Sequence, residues 1–387
     1  MADTPDDNTP CDKYFAINLT HPEAASAWIF SETDKIVNVI VIPIISSIGL
    51  LGNLAFLFSI FRLRSMQTSL NVFTRSLAVA DAAYLIAVIY WALMDYQKTK
   101  IPNDAFGSWA ECGVFSIVIH MSYFASVGFI TLISVERYLA ICDPLKHRAM
   151  KSKGRAHRLA AIVWIVALVI AAAYVPQFAF TKFCLIWPDS EEYGSFPTVF
   201  KACLPLNVYV AIYAMLIAIV SFILALLING TIYVKIILAL TRRSDKDVHL
   251  HQDKTAKLRN QVTRILVING IIFFICQMPY RIANTDNLMD NLGSGYDLLS
   301  KKEYDTVHNI GISFFILNSC INPYLYIMGS RQYRNAMFDA FKITFCRRCT
   351  ATKDKDPSAS EAQSSTQTGN GATAINTVSG SSHAQKL

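Results

Sequence analysis

Seven predominantly apolar stretches alternate with polar connections along the chain: Ile36 to Phe61, Val72 to Met94, Val114 to Ile141, Leu159 to Phe180, Val208 to Leu240, Val262 to Ala283 and Val307 to Met328. Each is long enough to supply the roughly 20 residues that carry a helix across a bilayer. In lipid no water is present to bond the backbone, so a single crossing segment must be a helix that satisfies its own amides and carbonyls. The pattern therefore predicts an all-α fold, a seven-transmembrane helix bundle. Beyond the seventh stretch, Gln332 to Phe345 places Tyr333, Met337, Phe338, Phe341 and Phe345 at helical spacing, with Arg334 and Lys342 between them and Arg331 just before. This is the signature of an amphipathic eighth helix lying on the inner membrane surface.

The remaining chain is different in kind. Residues 1–35 form an amino-terminal tail that carries Asp3, Asp6, Asp7 and Asp12 before any apolar run, so no cleaved signal peptide is expected and the first span acts as the targeting signal. From Thr350 to Leu387 the chain is rich in Ser, Thr, Gly, Ala and Gln and is expected to be disordered. Four regions result: a tail over 1–35, the membrane domain over 36–330, the amphipathic helix with its cysteines over 331–349, and a cytoplasmic tail over 350–387.

Composition agrees with a lipid-facing protein. Of 387 residues 53% are hydrophobic and 16% charged, whereas a soluble domain carries about 25% charged residues. The formal net charge is +7, which would suit a polynucleotide partner if the basic residues formed one groove. They instead gather in alternate connections: Arg62 and Arg64, then Lys146, His147, Arg148, Lys151, Lys153, Arg155 and Arg158, then Arg242, Arg243, Lys254, Lys257 and Arg259. Those loops are expected to be cytoplasmic, and no nucleic-acid partner is implied. The other connections hold Asp104 and Glu111, then Asp189, Glu191 and Glu192, then Asp286 and Asp290. The amino terminus is therefore placed outside and the carboxyl terminus inside. Asn18-Leu19-Thr20 is a glycosylation sequon on the outer side, while Asn229-Gly230-Thr231 lies within a span and should be inert. Cys346 and Cys349 follow the amphipathic helix and are the expected palmitoylation sites.

An ionisable group inside a span costs about 2.5–3.5 kcal/mol on insertion scales and calls for a reason. Asp81 sits near the middle of the second span, and Asn53, Ser126, Asn318, Ser319 and Asn322 occur at comparable depth. Such a set can be hydrogen-bonded glue between helices. Gathered around one carboxylate, it is better read as a hydrated pocket able to hold a small cation, an allosteric sodium ion.

Several short motifs then fall in order: Gly52-Asn53, Leu77-Ala78-Val79-Ala80-Asp81, Glu136-Arg137-Tyr138 closing span three, Trp164, Phe273 with Cys276 and Pro279, and Asn322-Pro323-Tyr324-Leu325-Tyr326. Together they resemble the signature set of rhodopsin-like G-protein-coupled receptors, over roughly Ile36 to Cys349. The resemblance implies that Glu136 holds Arg137 at rest, that Arg137 turns to meet a heterotrimeric G protein when span six swings out, and that Tyr233 and Tyr326 brace the open state. It also pairs Cys112 with Cys184 in a disulfide, although Cys203 is a rival partner and Cys11 or Cys203 is left free or in a second bridge. Two positions depart from the pattern. Gln277 replaces the tryptophan two places before Pro279, and Ala225 stands where a proline is expected in span five.

The ligand class follows from absences and echoes. Amine receptors of this family carry an aspartate where this chain has Ile119, and opsins a lysine where it has Ile316. Met278-Pro279-Tyr280-Arg281 looks like the thyrotropin-releasing-hormone receptors, and Cys184-Leu185-Ile186-Trp187-Pro188 like the tachykinin receptors. These point to an extracellular neuropeptide or peptide hormone, expected to be short and basic or amidated. Its pocket is expected to include Trp91, His120, Tyr123, Tyr280, Arg281, Asn284, His308 and Ile312. The alternatives are a lipid or small-molecule ligand, and a transporter, which the lack of an internal repeat disfavours. No catalytic constellation is visible in the spans and no enzymatic activity is expected. Arrestin and receptor kinases are the partners implied for the tail.

Overall fold

The computed structural model describes residues 16–26, 28–29, 36–63, 66–98, 106–150, 152–194, 196–247, 254–293 and 299–351. Among the described residues, seven helices are long and apolar enough to cross a membrane: Val37–Arg62, Ser69–Met94, Trp109–Cys142, Lys153–Phe178, Val208–Arg242, Asn260–Asn291 and Thr306–Gly329. They belong to a unit spanning Met1–Ile343; of a second unit, Thr344–Leu387, residues 344–351 are helical. Cys11, Cys346 and Cys349, the first 15 residues and most of the tail lie outside the residues or side chains described.

Burial sorts the spans. About 61% of the apolar window of span six and 50% of span three lies inside the protein, against 22% in span four, so three and six are central and four is peripheral. Span four turns Ile162, Ile165 and Val169 outward, and span five Leu216, Val220 and Leu227. These side chains need a lipid solvent, because none of the described helices covers them. Small residues set the closest approaches. A Cβ on Gly311 would stand 2.7 Å from the Tyr280 backbone nitrogen, and one on Gly270 would collide with the Tyr233 hydroxyl. Glycine at 311 lets the backbones of spans six and seven meet there, and glycine at 270 leaves room for the Tyr233 side chain between spans five and six.

Prolines inside the spans leave carbonyls to be satisfied. Pro323 has no N–H to give the Ser319 carbonyl four residues earlier. Asn53 Nδ2 supplies the missing bond at 3.0 Å and also donates to Gly49 O at 3.0 Å, tying span one to span seven.

Helix ends differ from the apolar runs because capping, and not hydropathy, sets them. Span three begins at Trp109, five residues before Val114, where Ser108 Oγ accepts from Glu111 N and Glu111 Oε2 accepts from Gly107 N at 2.7 Å. The helix containing span seven starts at Lys301 behind a Ser300–Glu303 capping box. The Ser300 donors hold the Glu303 carboxyl below its ordinary value. Span six runs eight residues past Ala283 to Asn291, with Asn291 Nδ2 donating to Asn287 O at 2.7 Å and Gly293 at φ 67° beyond it. Span four ends in a single 3-10 turn, Val175–Phe178, at Pro176.

After span four the chain forms a sheet. Strand β2 (Ala179–Ile186) pairs antiparallel with β3 (Val199–Leu204), and β1 (Ala16–Asn18) adds in parallel with Ala16 opposite Cys184. Trp28 packs edge-on against Phe183 and Phe200 at 6.1 and 5.9 Å, over a small core that includes Leu19, Leu185 and Ala202. At the opposite end, helix Arg331–Ala351 follows span seven. Its Tyr333 is buried against Phe56 and donates to Asn71 Oδ1 at 2.8 Å. Burial pushes the Tyr333 hydroxyl up to about 12, so it remains a donor.

Candidate functional site

A cavity of about 280 Å³ lies on the sheet side of the bundle. Helical periodicity explains which residues reach it. Tyr280, Arg281, Asn284 and Asn287 fall on one face of span six; Tyr304, His308, Ile312 and Phe315 fall on one face of the last span and the turn before it. Ile119, His120 and Tyr123 come from span three, Tyr174, Gln177 and Phe178 from span four, Ala214, Met215 and Ala218 from span five, and Tyr84 from span two.

The structure thus brings His120, Tyr123, Tyr280, Arg281, Asn284, His308 and Ile312 to one cavity. Trp91 is not among the residues that line it. It lies two turns further along the same face of span two than Tyr84, where it packs both in the cluster around Phe106 and Cys112 and in the cluster that includes the cavity residues Ile119 and Ile312. Tyr174, Phe178 and Phe315 escaped sequence reasoning because an aromatic in a span packs equally well against lipid or a neighbour.

The polar groups are held in place. His120 Nδ1 donates to Ser116 O at 2.8 Å and its ring stacks on Tyr174 at 4.2 Å. Tyr174 in turn donates to Ala214 O at 2.6 Å. Tyr304 stacks on His308 at 5.8 Å and accepts from Asn287 Nδ2 at 3.3 Å. The Arg281 guanidinium lies 4.6 Å from the Tyr123 ring, 5.5 Å from Tyr280, 5.7 Å from Phe315 and 5.9 Å from Phe222.

Cys112 bridges to Cys203, with Cα atoms 5.8 Å apart. The expected partner Cys184 is therefore wrong, although Cys184 is itself disulfide-bonded. Strand register decides the matter. Phe180 faces Cys203 across the β2–β3 ladder, at the end of the hairpin beside span three, whereas Cys184 lies four residues along β2, opposite Val199 and Ala16. Cys142, Cys276 and Cys320 are thiols outside the disulfides. Asn18 is exposed on β1 and its Oδ1 accepts from Thr20 N at 3.0 Å, while Asn229 is fully buried and donates to Thr131 and Ala225.

Below the cavity, Asn322 Nδ2 donates to Asp81 Oδ2 at 2.6 Å, and the side chains of Ser126 and Ser319 also reach that carboxylate. A void of about 10 Å³, near one water in size, is bounded in part by Ser122, Ser126, Gln277, Asn318 and Ser319. It shares Tyr84, Tyr123 and Phe315 with the larger cavity. Gln277 is 1% exposed, and its Oε1, Ser122 Oγ and Tyr123 OH are buried without a hydrogen-bond partner. A carboxylate ringed by hydroxyls and amides offers the hard oxygen donors that a sodium ion takes. Pro279 interrupts span six two residues beyond Gln277.

At the far end, Glu136 Oε1 accepts from His147 Nε2 at 3.0 Å, and an Arg137 guanidinium nitrogen stands 4.0 Å from the same oxygen. Tyr138 lies under the Lys235 ammonium at 5.8 Å. Tyr233 OH accepts from Ser134 Oγ at 2.9 Å, and Tyr326 OH accepts from Asn269 Nδ2 at 3.4 Å while its ring packs on Phe56 and Tyr333. The two tyrosines thus have separate partners.

A family model described as "7 transmembrane receptor (rhodopsin family)" matches residues 52–326. The [Phe13]-bombesin receptor of Bombina orientalis is 26% identical over 345 residues, covering 86% of this chain and 81% of the relative. The thyrotropin-releasing hormone receptor of Mus musculus is 27% identical over 353 residues, 81% and 80%. Succinate receptor 1 of Rattus norvegicus is 24% identical over 302 residues, 77% and 88%. The chain belongs to the rhodopsin-like G-protein-coupled receptor family: it is a multi-pass membrane receptor and not an enzyme.

Proposed function

We propose that this receptor is activated by an extracellular peptide and, at its Arg137 end, drives nucleotide exchange on a heterotrimeric G protein. The carrying observation is the cavity. Its 280 Å³ is near the lower edge of the roughly 300–1,000 Å³ of small-molecule sites, so it takes one end of a peptide. The rest of the ligand lies against the β1–β2–β3 sheet and the hairpin tip, where Asp189, Glu191 and Glu192 are exposed. Relatives named for bombesin and thyrotropin-releasing hormone support a peptide ligand. The sheet end and Asn18 face outward, and the basic loops, Arg137 and the carboxyl terminus face the cytoplasm. Asp81, Ser126, Asn318 and Asn322 hold an allosteric sodium ion. The helix after span seven rests on the inner leaflet with Cys346 and Cys349 as acylation sites, and the tail serves receptor kinases and arrestin.

The test is nucleotide exchange on purified G protein by the reconstituted receptor, screened with a peptide library. Peptide-stimulated exchange is expected. Exchange stimulated by a lipid or monoamine with no peptide active overturns the ligand class, and solute uptake without exchange overturns the receptor mechanism.

A further inference from the structure

Arg281 is 7% exposed, and its Nε is buried without a hydrogen-bond partner. No described residue accepts a hydrogen bond from its guanidinium or forms an ion pair with it. The four aromatic rings around it meet a cation through their π faces and cannot accept its in-plane N–H groups as a carboxylate does. The described lining of the cavity contains no aspartate or glutamate, and its other basic side chains are His120 and His308. A buried charge without a counter-charge is sustained only where a partner arrives or water remains.

We propose that the counter-charge comes from the ligand: Arg281 anchors a carboxylate, and the end of the peptide that enters the cavity is acidic. This rests on the peptide reading above and changes the expectation of a basic or amidated ligand. A neutral amide carbonyl would meet one or two of the five guanidinium donors and leave the charge unbalanced. A carboxylate takes two parallel N–H bonds and cancels the charge. The carboxylate is either the free carboxyl terminus or an Asp or Glu side chain near the inserted end. Basic residues further out on the same peptide would still meet the acidic hairpin tip.

The experiment uses the full receptor in nanodiscs with purified G protein and a synthetic peptide library. Every sequence is made as a carboxyl-terminal acid and as an amide, and every Asp or Glu near the ends also as Asn or Gln. Binding is read by thermal shift and activation by nucleotide exchange. Members that bear the carboxylate should be favoured over their neutral partners by at least tenfold, and Arg281→Gln should bring the two within about threefold. Arg281→Lys, which keeps the charge and loses the fork, should recover only part of the preference. If Arg281→Gln fails to reach the membrane, the acid and amide comparison on the parent chain still decides. Loss on amidation identifies the terminal carboxylate; loss on Asp or Glu replacement identifies a side chain. Equal potency of acids and neutral partners overturns the proposal, as does a library in which no carboxylate-bearing probe shifts the receptor's stability. Activation by a small dicarboxylate such as succinate, lost in Arg281→Gln with no peptide active, would sink the peptide reading and leave the carboxylate anchor standing.

Discussion

His147 Nε2 donates to Glu136 Oε1 at 3.0 Å. Arg137, the neighbour expected to own that carboxylate, stands 4.0 Å from the same oxygen. His147 belongs to the short helix Pro144–Met150, so this contact also pins that helix to span three. Partly exposed pairs of this type contribute about 0.2–1 kcal/mol.

His147→Ala should leave Glu136 to Arg137 alone and lower basal nucleotide exchange by up to about fivefold, since ~1 kcal/mol is worth that factor. Maximal agonist response should be retained. Basal exchange equal to or above the parent's would refute the sharing of Glu136. Arg137→Ala, by contrast, should abolish agonist-stimulated exchange while radioligand binding and surface expression persist; undiminished exchange would remove Arg137 from coupling.

Asp81→Asn should abolish any dependence of agonist affinity on sodium. A sodium ion seated beside Asp81 would favour the resting bundle, and a ligand shifts an equilibrium only through different affinities for its two states. Agonist competition curves with sodium replaced by a large organic cation at constant ionic strength measure this. If the parent chain shows the same affinity in both salts, the cluster of Asp81, Ser126 and Asn322 is structural.

Cys112 and Cys203 should be found in one disulfide-linked peptide after non-reducing proteolysis. Cys203→Ala should weaken agonist binding about as much as Cys112→Ala, because either change detaches β3 from span three. Cys184→Ala should leave the Cys112–Cys203 peptide intact. Recovery of a Cys112–Cys184 peptide from the parent receptor would contradict the strand register.

Gly311→Ala should push spans six and seven apart, because its Cβ would stand 2.7 Å from Tyr280 N, a backbone atom with little room to yield. Overpacking of this kind costs about 1–3 kcal/mol. The variant's thermal unfolding temperature should drop, and agonist potency should fall with it as Tyr280 and Arg281 shift. An unchanged melting temperature would mean that the two helices are not in contact at this level.

The seven spans could be read from the chain because each is a local solution. A run of about 20 apolar residues pairs its own backbone groups whatever its neighbours do, so runs such as Ile36 to Phe61 and Val262 to Ala283 located helices directly. The ordered motifs around Asp81, Arg137 and Pro323 likewise named the family, because they depend on residue type and order alone. Relations between elements were of another kind. Whether Cys112 met Cys184 or Cys203 depended on the register of a hairpin whose strands were not anticipated. Whether Trp91 reached the cavity depended on its height in the bundle and on its packing in the cluster around Phe106. That Glu136 is shared with His147, and that Arg281 is caged by four rings with no described acid beside it, depended on how helices are rotated about their axes. Hydropathy marks which segments are buried in lipid. Only side-chain packing between helices fixes rotation, height and register, and those three quantities made the site.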